Sequence, residues 1–594
     1  SKVKSCVLET KNFANAIFKG LSCDSYEFVD EVLRKFHDFV IVDNQISRKT
    51  KASFFNTGVL NHLLRLYSRT DFEPPESNKT VAGVVHKFLL SICCVPGIGI
   101  CFRDAGWYSS SLQSFFINST DKSKDSGKVK LNNIILSSFI KSLKPTQDLK
   151  QQELLLKILE ACPELVHVFW QYTNISFEPY LSYKWIANMT LFHKIIALPV
   201  PSLYISDTKV YSETPPEVPL VMDNILPRIF DRSILNKCLN HQSPLVKYKA
   251  IITLCVMFQK LDKVKRAFDE AARCLNVLSN KPSNEKKSSA KWLQTIESIF
   301  EEIKRRIPDI QVLLKIYHQT LTCEQKLSAN LMPDEVTEEY TRNSMIHEMV
   351  LRLIKYYHQF LPEAVMESKF DIGKFIPANL EEIQPTMQLH ILELLLLASD
   401  FNLSNKSENN RLAILLKLYS HTPYPQIYSS IRQVLIHLLS KSLPFQHDPN
   451  EAIIWLECLP RIISMDKTSQ ELFESDSILQ FLDESISIFF KDPFPYIDEL
   501  ISDTDSNVQQ TDIMEIDELR IAKDISIVLA EKLCNIYYNS KNAPFSYPFS
   551  PLLAVVMKQY QNMKPITVGV TSFLHKLFKN LLNKQIKPSY LHVY

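Results

Sequence analysis

A chain of 594 residues, 45% of them apolar and 22% charged, is too long for one hydrophobic core, so several domains or an elongated repeat array is expected. Its net charge of +2 by itself says nothing of nucleic acid. Only nine residues are glycine, against a usual share of about 7%. Sheets, hairpins and nucleotide loops consume glycine while helices avoid it, so the chain is expected to be almost wholly helical, with 31 prolines as punctuation.

The twelve cysteines contain no CxxC spacing, and most sit in apolar helical runs. That pattern suits small buried thiols in a reduced, intracellular chain better than a disulfide or zinc framework. The sequence begins at Ser1, not Met, and reads as an excised piece of a longer protein or a trimmed tag. The uncharged apolar run Phe88 to Phe102 is too short to span a bilayer and contains Pro96, so no membrane association is expected.

Along the chain, Gly97-Ile98-Gly99 starts like a dinucleotide loop, but position 102 is Phe and no strand pattern precedes it. Leu154, Leu155, Ile158 and Leu159 form an apolar helical stripe that stops before Pro163, and Leu165, Val166, Phe169 and Trp170 open the next. Within Val218–Leu261, Ser243 is placed to cap a helix with Pro244 at its first position. Val246, Lys247 and Ala250 then follow the second-helix pattern of a HEAT repeat. The stripe Leu245, Tyr248, Ile252 and Cys255 does not align on a helical wheel with Val264, Phe268, Ala271 and Leu275, which predicts a helix break near Lys260–Asp262. His347-Glu348 begins like a zinc-protease helix, but position 351 is Leu. Leu392, Leu395, Leu396, Ile414, Leu415 and Leu418 belong to another helix pair, and Ile431, Val434, Leu435, Leu438 and Leu439 to the next.

Asp503, Asp505 and Asn507 have calcium-loop spacing, yet the sixth position is Val508 and the twelfth Met514, so a solvated acidic loop is the better reading. Exposed loops are expected at 118–130, 204–223, 279–290 and 498–518, the last with eight acidic residues and no basic one. Helices of ordinary length joined by short turns, with no strict period, give the fold class: an all-α armadillo/HEAT-like α-solenoid of degenerate repeats, one elongated array over 1–594. No catalytic residue, metal ligand, cofactor or small-molecule substrate is expected.

Charge distribution is more informative than net charge. Lys247–Arg306 holds 14 basic and 7 acidic residues, and Lys532–Tyr594 holds eight lysines and no acid. Lys263, Arg266 and Arg273 share one helix face opposite Val264, Phe268 and Leu275. Faces of this kind hold phosphates, with affinity that falls steeply in salt, although Asp269 and Glu270 also suit a merely solvated face. The candidate RNA-binding set is Lys260, Lys263, Arg266, Arg273, Lys286, Lys287, Lys304, Arg305, Arg306, Lys576, Lys579, Lys584 and Lys587.

Several blocks also carry a resemblance: Pro163–Leu203 with Trp185 and the ending Pro199-Val200-Pro201, Asp223–Pro227 (DNILP), Arg305–Tyr317, His447–Pro460 and Gly97–Tyr108. Together they resemble the N-terminal region of the nucleolar pre-ribosomal-associated protein 1 (unhealthy ribosome biogenesis protein 1) family, over roughly residues 80 to 460. The resemblance implies the N-terminal module of a larger nuclear, nucleolar scaffold in early large-subunit (pre-60S) assembly. Its implied partners are pre-ribosomal RNA, small nucleolar RNA and assembly factors including a DEAD-box helicase, and it carries over no catalytic motif. The other reading is a protein-only solenoid adaptor whose concave groove binds a peptide or helix.

Overall fold

The computed structural model describes residues 2–10, 13–69, 80–102, 106–108, 133–204, 211–278, 285–330, 333–397, 409–445, 448–461, 469–496, 549–563 and 567–584. Among them there is no strand, only an isolated antiparallel bridge between Tyr204 and Tyr211. No described helix is long and apolar enough to cross a membrane. The chain divides into two compact units, 1–353 and 354–594.

In the first unit the helices are α1 (Lys2–Leu8), α2 (Phe13–Gly20), α3 (Tyr26–Phe36), α4 (Arg48–Phe54), α5 (Thr57–Arg65), α6 (Val81–Cys93), α7 (Ile134–Ile140) and α8 (Leu149–Ala161). They continue as α9 (Glu164–Tyr172), α10 (Tyr183–Ile196), α11 (Val218–Ile225), α12 (Arg232–Leu239), α13 (Pro244–Leu278), α14 (Glu285–Arg306), α15 (Ile310–Asn330) and α16 (Pro333–Phe360), the last running past the unit's end at Leu353. Capping is local and visible in sequence: Ser25, Ser47, Asn56, Thr80, Ser182 and Asp231 each accept a backbone N–H of the first turn with a side-chain oxygen.

The helices stack in two files. One runs α2, α5, α7, α9, α11, α14 and the other α3, α6, α8, α10, α13, each member packing on the next of its own file. Contacts of α8 with α9, α10 with α11 and α13 with α14 join the files. This two-layered stack of helix pairs is the HEAT-like solenoid arrangement, in which each unit buries an apolar stripe only against its neighbours. Aromatic rings fill the space between layers: Phe18, Phe36, Phe54, Phe55 and Phe88 in the first repeats, and Trp170, Phe177, Phe192 and Phe230 further on.

The stripe of α8 (Leu154, Leu155, Ile158, Leu159) and that of α9 (Leu165, Val166, Phe169, Trp170) are buried, and α8 ends at Ala161 before Pro163, as the periodicity predicts. The predicted break in α13 is absent: Pro244–Leu278 is one helix of 35 residues. Its buried side chains are Val246, Ala250, Met257, Leu261, Val264, Phe268 and Ala271, which recur at helical spacing without interruption. Leu245 is exposed and Tyr248 and Ile252 are only half-buried, so the stripe read from sequence was not the core stripe. Leu254, Cys255 and Phe258 are also buried, because the first half of α13 packs on α10, α11 and α12 at once.

Two loop expectations also need correction. Helix α11 begins at Val218, inside 204–223, with Pro219 in its first turn. The stretch ahead of it is pinned: the Trp292 indole N–H donates to the Ser212 carbonyl (3.0 Å) and the Tyr108 hydroxyl to that of Leu203 (3.1 Å). Helix α14 begins at Glu285, inside 279–290, and buries Ser288 and Ser289, whose hydroxyl donates to the Ala272 carbonyl (3.1 Å). The expected loops at 118–130 and 498–518 lie outside the described residues.

The second unit contains α17 (Pro362–Glu367), α18 (Pro385–Leu397), α19 (Asn409–His421), α20 (Pro425–Ser440), α21 (Pro449–Cys458), α22 (Ser469–Lys491), α23 (Pro551–Asn562) and α24 (Val568–Lys584). Here α18, α19 and α21 pack on α20, while α22 packs on α19, α23 and α24. Leu392, Leu395, Leu415, Leu418, Ile431, Val434, Leu435, Leu438 and Leu439 are buried, and Leu396 and Ile414 half-buried. Buried Glu451 links two of these elements, accepting the Trp455 indole N–H (3.0 Å) and the Ser550 backbone N–H (2.8 Å) at the start of α23.

Candidate nucleic-acid interface

Packing of Val264, Phe268 and Ala271 against α14 turns the opposite side of α13 to solvent. Lys263, Arg266 and Arg273 stand exposed there, over roughly 15 Å of helix axis at 1.5 Å per residue. Arg266 pairs with Asp262 one turn back (2.5 Å), and Arg273 Nε donates to the Asp269 carbonyl (3.3 Å). Arg266 keeps 77% of its side-chain surface exposed, so a phosphate competes with that carboxylate from open solvent.

Lys260 does not belong to this face. It is 4% exposed, and its ammonium donates to the carbonyls of Leu198 and Pro199 (3.2 Å to Pro199). The Trp107 ring lies 5.9 Å away. Burial, with the nearby Lys263 charge, pushes its amine down to about 7. Lys260 is therefore a clamp between α13 and the turn after α10, where its helical-wheel position beside the core stripe puts it.

At the end of α14, Arg305 is exposed, 3.6 Å from Glu302, and Lys304 is half-buried. Arg306 is committed elsewhere. It is 12% exposed, donates to the Leu226 carbonyl (2.8 Å) and pairs with Glu302 (2.8 Å). Leu226 ends α11, so the guanidinium satisfies a carbonyl at a helix C-terminus, where a cation is favoured. The side chains of Lys286 and Lys287 lie outside the described residues.

In the second unit, Val570, Phe573, Leu574, Leu577 and Leu581 seat α24 on α21 and α22. Lys579 is exposed and Lys584 half-buried, whereas Lys576 donates to the carbonyls of Glu457 (3.0 Å) and Cys458 (3.5 Å) and so closes the end of α21. Lys587 lies outside the described residues.

One surface escaped the sequence reading. The extended segment between α9 and α10 is anchored by buried Phe177, whose carbonyl accepts the Trp185 indole N–H (3.2 Å). Asn188 donates to the Ser176 carbonyl (3.1 Å). Around these anchors Tyr180, Leu181 and Tyr183 are exposed, at 75%, 49% and 83%, beside exposed Lys184. Solvated aromatic rings next to a cation offer flat apolar faces of the kind on which unpaired bases can stack. The signal was a run of aromatics at spacings that no single helix face accommodates.

Two of the motif-like stretches lie among the described residues. The turn at Gly97-Ile98-Gly99 is structural: Gly97 has φ 97°, and a Cβ on Gly99 would lie 2.1 Å from the Ile92 carbonyl oxygen. Lys51 ties it down by donating to Ile98 (3.2 Å) and Ile41 (2.5 Å). His347 is buried beside the Tyr317 ring. Ser475, His421 and Glu381 form a hydrogen-bonded chain (3.2 and 3.1 Å) with the order of a hydrolase triad. Ser475 and His421 are 1% and 5% exposed, and Ser475 lies within α22, so the hydroxyl is closed off from solvent and the chain of bonds joins α19 to α22. No group of metal-binding side chains occurs among the described residues.

Comparison with known proteins gives this repeat stack a set of relatives. The family described as "Ribosome 60S biogenesis N-terminal" matches residues 1–188. The proteins named nucleolar pre-ribosomal-associated protein 1 of Homo sapiens and Mus musculus are 25% and 24% identical, each over 83% of this chain. The chain is similar to the nucleolar pre-ribosomal-associated protein 1 family over most of its length. A second family description, "URB1, central HEAT repeat domain", matches residues 401–514 and agrees with the helical repeats seen there. The family's Saccharomyces cerevisiae member is 22% identical, again over 83% of the chain. The chain spans 22% of the length of the human and mouse relatives and 26% of the yeast one. The solved structure of yeast importin-beta (Kap95p) aligns with 94% of this chain and 56% of its own, at 13% identity and a TM-score of 0.32.

Proposed function

We propose that this chain is a non-catalytic helical scaffold in early large-subunit (60S) ribosome biogenesis, the N-terminal module of a nucleolar protein that holds assembly factors and pre-ribosomal RNA together. The observation that carries this reading is similarity to pre-ribosomal-associated relatives over 83% of the chain. Its repeat architecture suits a scaffold, since stacked helix pairs expose long surfaces without needing a pocket. RNA contact is assigned first to Lys263, Arg266 and Arg273 on α13, with Tyr180 and Tyr183 as stacking groups, and then to Arg305, Lys579 and Lys584. Small nucleolar RNA and a DEAD-box helicase are the further partners of this proposal.

Ultraviolet crosslinking in cells, mapped on both protein and RNA, tests it. Crosslinks from large-subunit precursor RNA to α13 or to Tyr180–Lys184, lost when Lys263, Arg266 and Arg273 become Glu, support the reading. Co-sedimentation with pre-ribosomes and no crosslink anywhere in the chain would reduce it to a protein-only adaptor. A nuclease, methyltransferase or ATPase activity that survives purification to homogeneity would overturn it.

A further inference from the structure

Two thiols from distant parts of the sequence meet inside the first unit. Cys101 Sγ lies 3.3 Å from Cys162 Sγ, both residues are fully buried, and 61 positions separate them. Both backbones are held. The flanking Phe102 exchanges two hydrogen bonds with Asn133 (2.8 and 2.9 Å), and Arg48 donates to the Cys101 carbonyl. Cys162 closes α8, its N–H donating to the Ile158 carbonyl (2.8 Å). A disulfide has its sulfurs about 2.05 Å apart, so closure asks for roughly 1.2 Å of approach.

We propose that Cys101 and Cys162 are an oxidation site at which a small peroxide forms a disulfide, locking the turn after α6 to the end of α8. One sulfur attacks a peroxide oxygen, the O–O bond breaks, and a first water leaves with a sulfenic acid formed. The second sulfur displaces the sulfenic oxygen, the S–S bond forms, and a second water leaves. Two thiols and one hydrogen peroxide thus give one disulfide and two waters, with two electrons passing to the peroxide. A small oxidant is required because neither residue is exposed; Cys101 lies three positions beyond the exposed turn Val95–Ile98, while a bulky disulfide reagent has no approach to buried sulfur.

The test treats the whole chain with hydrogen peroxide, blocks remaining thiols with N-ethylmaleimide and maps peptides without reduction. Cys101 and Cys162 peptides joined, lighter by the mass of two hydrogens, are expected as the main internal link. A rise in unfolding temperature of about a few degrees should accompany it and reverse with dithiothreitol. C101S and C162S should each lose both the link and the rise. Cys101 joined to Cys93 or Cys94 would overturn the proposal, as would oxidation confined to exposed Cys6 and Cys23. A C162S protein that keeps the rise would do the same. The peptide map is read on the unmutated chain, so a variant that fails to fold leaves it decisive.

Discussion

Lys260 and Glu451 are buried charges of opposite kind, and burial moves each toward neutrality, with opposite consequences for stability. Lys260 has its amine depressed to about 7 by desolvation, so between pH 7 and the ordinary value near 10.5 the unfolded chain holds a proton that the folded chain has released. Stability therefore climbs with pH across that window, by up to about 1.4 kcal/mol per pH unit. Urea unfolding of the wild type and Lys260→Met from pH 6.5 to 9 should give a difference that rises with pH in favour of the wild type. Glu451 runs the other way. Desolvation raises its carboxyl to about 7, with Asp448 adding a like charge and the donors Trp455 and Ser550 opposing the rise. The folded chain then keeps a proton that the unfolded chain loses above about 4.5, so this contribution is complete at low pH and disappears as pH rises through 7. The same comparison with Glu451→Gln between pH 4.5 and 7.5 should give a difference that falls with pH.

At the scale of the element, α13 is the strongest case for packing over local pattern. If its core stripe runs unbroken from Val246 to Ala271, a proline in the middle must be costly even at a solvated position. Lys263→Pro removes one backbone hydrogen bond and clashes with the preceding turn, and should cost about 3 kcal/mol in urea unfolding. A cost under about 1 kcal/mol would mean that the helix is already interrupted there. Much of the fold was legible because helix formation is local: glycine scarcity, proline punctuation, capping residues and stripes such as Leu154–Leu159 sit within one window of sequence. The misreadings come from partners beyond that window. Leu245 is as apolar as Leu261, and only the neighbouring helices decide that the first stays exposed and the second is buried. Ser288 and Ser289 look like loop residues until Ala272 supplies an acceptor from the preceding helix. Lys260 and Arg306 read as surface charge because the carbonyls that bind them, at Leu198, Pro199 and Leu226, are 61 to 80 positions away.

Among the described residues, the candidate basic side chains sort into those the fold has used and those it leaves in solvent. Lys260, Arg306 and Lys576 hold carbonyl groups of other elements, so their charge is structural, and a polyanion gains little from them. Lys263, Arg266 and Arg273 have only neighbours one turn away or solvent, and their side chains keep the freedom to follow a phosphate backbone. Counterion release makes this division measurable: each phosphate contact on a single strand adds about 0.7 to the slope of log affinity against log salt. Changing Lys263, Arg266 and Arg273 together to Glu should lower that slope by about 2 for a single-stranded RNA and leave the chain folded, since among the described residues the hydrogen-bond and ion-pair partners of Arg266 and Arg273 lie one turn away on α13 itself. Tyr180→Ala with Tyr183→Ala should instead weaken binding at every salt concentration without altering the slope, because stacking releases no ions. An unchanged slope in the triple variant, with affinity intact, would remove α13 from the proposed RNA-binding surface and leave its charges as a solvated helix face.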